Sequence, residues 1–577
     1  MMWWIKRPER LAVELQAVED LQANEPWLVR TRETLPEGLT FAVEFDINLN
    51  GEAVPFILKY PNLFPDAPPA VFPRDGRRHS GHQYGTGGEM CLEYRSDNWD
   101  PSVTGALMIT STYRLLSGEQ PAQDARAIVP DAHRATLGQR LRDAKGRFLA
   151  TPGFRAFVEE MAAGTCAPGT AIEHVAPGEV WVAYIAAIGP LTQPKWTETE
   201  IPAVRVKPGP AVLVRVSALD EVAINKYEHI EELIRVSGGS DSLPTKEDDS
   251  AQFVVVADEK SARMFYTFRY EGHWKVFQYR TVDLELQPQR LARIYVNVAT
   301  KKVGILGAGS LGSKVAVTLA RSGVQSFVLV DGDILQPGNL VRHELDARAL
   351  GAHKVQGLEE RIRAVAPRAE VKGWRVALGG QESSATTSSV LNDLGSCDLV
   401  IEATTNPQAF NFAAAAARGA SKPMVWTEVY AGGIGGFVGR VRPGIDPPPH
   451  TARLQYSAWC RDQEVPWIGD DRGYDSQSPN GPTLVAADAD VSVIAGHASR
   501  LALDTLMRPV ASEFPHSAYV IGLAQAWIFS APFDVRPFDF TSEGTWDSEI
   551  TQVQADKAIE RIVSILQRSS ARDRTGT

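Results

Sequence analysis

Between residues 9 and 24 the apolar positions Leu11, Leu15, Val18 and Leu21 recur at helical spacing, and beyond them the pattern turns strand-like over 27–32, 40–48 and 53–60. A helix followed by a meander is expected. The proline-rich segment from Tyr60 to Pro69 interrupts that pattern, and after it come a short strand, a Gly-rich loop and a helix expected to open at Asp100-Pro101, an N-cap followed by a proline. Val103 and Leu107 on one face of this helix, with Met108, Ile109, Leu115 and Leu116 on the other, predict burial between two layers. Residues 125–177 carry few periodic signals and are read as a connecting region. The runs Val180–Tyr184, Ala211–Val216 and Phe253–Val256 make 178–295 a β-rich middle region, with a mobile loop expected at Ser237–Ser242. From 296 onward the order is strand, glycine turn, helix, strand: Val303–Leu306, Gly307 to Gly312, a helix to about Ser322, then Phe327–Val330. That is an α/β unit with a mainly parallel sheet. Overall the class is α/β, divided as 1–124, 125–177, 178–295 and 296–577.

Composition narrows the function classes. At 577 residues the chain exceeds one hydrophobic core, and 44% hydrophobic with 22% charged residues is ordinary for globular domains. A net charge of -11 without an extended Lys/Arg tract argues against a nucleic-acid partner. The four cysteines, Cys91, Cys166, Cys397 and Cys460, lie far apart without a C-x-x-C pair, so neither a disulfide framework nor a thiolate zinc site is expected. The N-terminal residues lack the apolar run of a signal peptide, and no segment approaches the roughly 20 apolar residues that span a bilayer. A cytoplasmic protein without a membrane partner is expected.

The G-x-G-x-x-G run Gly307, Gly309, Gly312 lies between a strand and a helix, and Asp331 ends the next strand about 20 residues on. The glycines admit phosphate to the backbone, the helix start supplies N–H groups, and Asp331 can accept from a ribose. Taken alone, this fingerprint is most often that of a dinucleotide-binding dehydrogenase. The polar set Asp333, Asn339, Arg342, His343 and Lys354 that follows has no use in one. The stretch from Asp331 to Lys354 resembles the adenylation domain shared by ubiquitin-activating enzymes and bacterial sulfur-carrier adenylyltransferases, over roughly residues 300–445. The resemblance implies ATP and Mg2+ as cofactors. It also implies that Asp331 holds the ribose while Asn339, Arg342 and Lys354 neutralise the triphosphate as a carboxylate attacks the α-phosphate. One departure stands out: the family's magnesium-binding carboxylate is replaced by Thr405 in the run Asp398 to Asn406. Either Glu402 or Asp333 serves the ion, or adenylation is impaired. Gly432 to Gly436 fits the family's Gly-rich hairpin or a plain turn.

Residues 8–121 resemble the ubiquitin-conjugating fold through three ordered motifs: Tyr60-Pro61 to Pro68-Pro69, Gly88 to Glu93 around Cys91, and Trp99 with Pro101. The resemblance implies that Cys91 carries a thioester. Glu89 and Glu93 flank it, and negative charge disfavours a thiolate, which suits a carrier thiol. The family's His-Pro-Asn tripeptide is absent as such; His82-Gln83-Tyr84 takes its approximate place, with His79 upstream, and His82 is the candidate catalytic residue or a loop-ordering one. Cys460 falls where activating enzymes place a mobile segment with their own thiol, and Arg461 beside it would help form a thiolate; the alternative is a buried structural cysteine beside Trp459. Cys397, beside a core strand, reads as packing.

Together the two resemblances imply a cycle: adenylation of a C-terminal carboxylate, capture by Cys460, transfer to Cys91, and attack by a target amine. The modifier would be a ubiquitin-like protein or another protein's C-terminal tail. The domain order is similar to that of bacterial fusion enzymes of antiphage systems. Two alternatives remain open: a sulfur-carrier-type adenylyltransferase with an accessory N-terminal module, and a non-catalytic binding scaffold silenced by Thr405. A homodimer is expected by the same resemblance, with Arg290 or Arg293 reaching the neighbouring nucleotide.

Overall fold

The computed structural model describes residues 2–573 apart from 86, 121–128, 130–135, 143, 191, 203–205, 220–221, 241–250, 285–290, 465–474, 478–482 and 547–551. Arg290 and the end of the expected loop at 237–242 lie outside the described residues. The chain divides into two compact units, Met1–Asp143 and Ala144–Thr577.

In the first unit the helix Pro8–Asn24 precedes an antiparallel meander of Leu28–Thr34, Ala42–Leu49, Glu52–Lys59 and Ala70–Pro73, hydrogen-bonded in that order. Strict alternation turns Phe45, Ile47 and Leu49 inward, and the Asn50-Gly51 turn, with φ of 52° and 91°, closes the hairpin as this dipeptide favours. A two-residue pairing of Gln83–Tyr84 with Glu89–Met90 and the helix Gly105–Glu119 follow. Glu14, fully buried, accepts from Tyr60 Oη at 2.9 Å and from the Gly105 amide at 2.6 Å, so the first helix is tied to the start of the last. The last helix begins at Gly105, not at Asp100. Asp100 Oδ1 takes the Ser102 amide at 2.8 Å, and this local turn competes with helix formation. Met108, Ile109 and Leu116 are buried whereas Leu107 is 41% exposed, so the helix buries one face rather than two.

The second unit opens with strands that the sequence reading assigned to a connecting region. Gly146–Ala150 and Thr165–Ala176 join Val180–Ile188, Trp196–Thr197, Gly209–Arg215, Gln252–Ala257, Ala262–Tyr270 and His273–Asp283 in one sheet. Thr165–Ala176 also pairs with Val180–Ile188, which closes seven of these strands into a barrel with Trp196–Thr197 at its rim. Closure removes the exposed edges a sheet would otherwise present. Phe148, Phe154, Leu213, Phe253 and Met264 fill one core, and Ile230 and Ile234 of the helix Tyr227–Val236 cover Val212, Val214, Val254 and Val256 on the other face. Burial on both faces explains why Phe253 to Ala257 read as a continuous apolar run.

Beyond it lies an eight-stranded sheet in the order Glu370–Trp374, Ser326–Val330, Lys302–Leu306, Leu399–Glu402, Met424–Val429, Gly435–Val441, Ala518–Gly522 and Val535–Phe538. The first five run parallel and the last three pair antiparallel. Val303, Phe327 and Ile401 face one core with helices Ser310–Arg321, Lys354–Val365 and Asp488–Met507; Leu306, Val328 and Val400 face the other with helices Ser384–Gly395, Pro407–Gly419 and Pro449–Asp462. Cys397 is fully buried in the second core, where burial pushes its thiol up to about 11. Among the described residues no helix is long and apolar enough to cross a membrane.

Candidate functional site

Strand order reverses between Lys302–Leu306 and Leu399–Glu402, and a crevice opens where such a reversal leaves two strand ends diverging. A cavity of about 550 Å³ lies there, lined by Gly307, Gly309, Asp331, Asp333, Asn339, Arg342, His343 and Lys354 among others. Gly312 is not in the lining; it makes the turn possible, because a Cβ there would stand 1.9 Å from the Gly307 carbonyl oxygen. Gly309 faces open space, the place where backbone can meet phosphate.

Asp331 is anchored rather than free to swing: Oδ2 accepts from the Ala308 amide and Oδ1 from the Asp333 amide, both at 2.8 Å. His343 is buried, with Nε2 donating to the Ala308 carbonyl at 2.7 Å and Nδ1 accepting from the Leu345 amide at 3.0 Å. Burial holds its pKa below the usual histidine value, so it is a neutral brace for the glycine turn. Lys354, 8% exposed, extends Nζ to Asp333 at 2.8 Å, and Arg342 Nη1 donates to the Ala486 carbonyl at 3.2 Å. Asn339 Oδ1 accepts from the Gln336 amide at 2.9 Å and so shapes the loop that carries Arg342.

Thr405 lines the same cavity with φ at +59°, a left-handed conformation that a β-branched residue adopts at a strain cost of roughly 1–3 kcal/mol. Asn406 caps the following helix through the Gln408 and Ala409 amides. These two residues also line a second cavity of about 530 Å³ that holds Cys460. Cys460 sits on the helix Pro449–Asp462, half-buried, rather than in a mobile segment. Burial pushes its thiol up to about 11; Tyr456 and Arg461 act against this and Glu428 adds to it. Arg461 therefore does not suffice to make a thiolate. Glu428 accepts from Tyr456 Oη at 2.9 Å, and Tyr456 and Tyr430 share a hydroxyl contact of 2.7 Å. Glu402, 3% exposed, is pushed up to about 7 by burial, even though the Thr404 amide donates to it at 2.7 Å. The sequence reading missed Glu428, Tyr430, Tyr456 and Arg453, whose spacing is that of ordinary core positions. Among the described residues no cluster of three or more His, Cys, Asp or Glu is arranged to hold a metal ion.

In the first unit Cys91 opens onto a groove of about 1030 Å³ together with His82, Tyr84, Glu89 and Arg95. The Cys91 amide donates to the His82 carbonyl at 2.7 Å. The His82 ring bonds the Val129 carbonyl through Nε2 at 2.8 Å, with Glu119 at 4.0 Å. His79 turns to Asp75, 3.0 Å away. Tyr84 donates to Glu89 at 2.5 Å, and burial together with that bond raises its phenol, which stays protonated.

Residues 291–483 match the ThiF family model. Over 108 residues the chain is 37% identical to the ATP-dependent ubiquitin transferase-like protein Cap2 of Enterobacter hormaechei, 19% of this chain and 17% of that protein. Over 121 residues it is 32% identical to the adenylyltransferase and sulfurtransferase uba4 of Aspergillus fumigatus, 21% and 23% of the two chains. The chain thus spans less than a quarter of the length of either relative. Escherichia coli MccB, crystallised with AMPCPP and selenomethionine MccA, aligns with a TM-score of 0.32 at 14% identity, over 44% of this chain and 68% of that one. The matched span holds the glycine turn, the polar set of the cavity and Cys460: residues 291–483 are a ThiF family domain.

Proposed function

We propose that the chain activates the C-terminal carboxylate of a ubiquitin-like protein, or of another protein tail, with ATP, and passes the acyl group through Cys460 and Cys91 to a target amine. The observation that carries this reading is one cavity that gathers the Gly307–Gly309 turn, Asp331 and the cations Arg342 and Lys354, with a thiol in the cavity next to it. ATP would lie with its ribose at Asp331 and its phosphates toward Arg342 and Lys354. The incoming carboxylate attacks the α-phosphorus, pyrophosphate leaves, and the two cations balance the charge that builds on the phosphates. Mg2+ holds to phosphates and one or two carboxylates. Asp333, whose side chain is 76% exposed, is the fitting carboxylate, whereas Glu402 is buried and bonded to Thr404. The Cys460 sulfur then displaces AMP, and Cys91 displaces Cys460.

The raised thiol of Cys460 favours a second reading, in which the adenylate is handed directly to Cys91. A Cys460→Ala protein that still forms a Cys91 thioester selects it. The experiment for the shared first step is exchange of labelled pyrophosphate into ATP with candidate carrier proteins ending in small residues. Exchange lost on trimming the carrier tail supports the proposal; exchange driven by a free amino acid instead contradicts it.

A further inference from the structure

Each of the two carboxylates that flank Cys91 in sequence has a partner of its own. Glu89 takes the Tyr84 hydroxyl at 2.5 Å, and Glu93 stands 3.5 Å from Arg114. A cation contacts the sulfur: Arg95 Nη1 donates to Cys91 Sγ at 3.4 Å. Residues 93–98 form no helix, so this contact is built by the loop. Asn98 clamps it, with Oδ1 accepting from the Arg95 amide at 2.8 Å and Nδ2 donating to the Glu93 carbonyl at 2.7 Å. The Glu93 amide is fixed in turn to Ser111 Oγ, at 2.9 Å, on the buried helix Gly105–Glu119. The Arg95 side chain is 31% exposed and has Asp97 3.7 Å from Nε, a loose pairing that leaves its hold on the sulfur intact.

We propose that Arg95 is a catalytic residue of acyl transfer at Cys91, holding the thiolate and donating to the oxyanion of the tetrahedral intermediate. It rests on the reading that Cys91 carries an acyl group. As Cys91 is loaded, its sulfur bonds the carbonyl carbon, the donor's bond to that carbon breaks, and the thiol proton ends on the leaving group. On discharge an amine nitrogen bonds the carbon, the Cys91 sulfur leaves with the electron pair, and the amine proton goes to water. In both steps negative charge passes through the sulfur and the carbonyl oxygen. A guanidinium, charged at every working pH, stabilises that charge without trading a proton. Among the described residues the other titratable or charged groups of the groove are His82, Tyr84, Glu89, Tyr94, Asp97 and Arg142; His82 and Tyr84 are engaged with Val129 and Glu89.

The test is the pH dependence of Cys91 alkylation by iodoacetamide in the full chain, read by peptide mass spectrometry, beside acyl transfer from a synthetic glycyl thioester peptide. Arg95→Ala and Arg95→Gln should move the alkylation midpoint up by about one pH unit, roughly a tenfold loss of thiolate at neutral pH, and slow acyl transfer at least as much. Arg95→Lys should restore the midpoint but only part of the transfer rate, since it lacks the planar fork. Alkylation profiles of the Ala and Gln variants that overlay the unaltered protein overturn the assignment. Neither assay uses ATP, so failure of ATP-dependent loading would count against the proposed function alone.

Discussion

Lys354 and Arg342 both line the proposed nucleotide cavity, where Lys354 pairs with an exposed Asp333 and Arg342 donates to the Ala486 carbonyl. Lys354→Ala and Arg342→Ala should each lower pyrophosphate exchange by about a hundredfold or more while thermal unfolding barely moves. Normal exchange in both would remove the site assignment. Cys460 offers a pH test. Its thiol is raised to about 11, so the protonated form is the stable one at neutral pH, and its alkylation rate should climb about tenfold per pH unit and level off only near 11. A plateau near pH 8 or 9 contradicts the burial account. At this scale local motifs were enough to group the residues: Gly307, Gly309 and the polar set from Asp331 to Lys354 line one cavity, and Glu89 and Cys91 share one groove. Arg95, Glu428 and Tyr456 were not legible, since a loop reversal and two packed elements, rather than spacing, bring them to the thiols.

The helix Pro8–Asn24, the meander and the strand–turn–helix at 302–321 were readable because period and turn residues agreed. Thr165–Ala176 was not, because Pro168 and Gly169 interrupt it and neighbouring strands decide its conformation. In the same barrel the turn between Gln252–Ala257 and Ala262–Tyr270 depends on Asp258. Burial works to raise that carboxyl, yet the amides of Leu219, Lys260 and Ser261 outweigh it and lower it to about 2. The folded pKa lies below the unfolded value of 3.8, so the stabilisation is present above pH 4 and fades as pH falls toward 2. Asp258→Asn should cost about 1 kcal/mol at pH 7, after allowance for solvent screening, and little at pH 2. An equal cost at both pH values in urea unfolding contradicts this.

At the scale of the molecule, the ThiF family domain accounts for residues 291–483, and the first unit and the barrel lie outside it. The proposed homodimer, with Arg293 as the described candidate to reach a partner's nucleotide, predicts a solution mass of two chains at micromolar concentration. A monomer with full pyrophosphate exchange contradicts it. In the proposed cycle an ATP-driven step in the ThiF domain ends as an acyl group on Cys91. The most direct measurement is a non-reducing gel of the full chain with ATP, magnesium and the carrier protein that supports exchange. A reductant-sensitive adduct should form that requires ATP and disappears in Cys91→Ala, with a slower, reductant-resistant oxyester in Cys91→Ser. An adduct that forms without ATP, or equally well in Cys91→Ala, would contradict it.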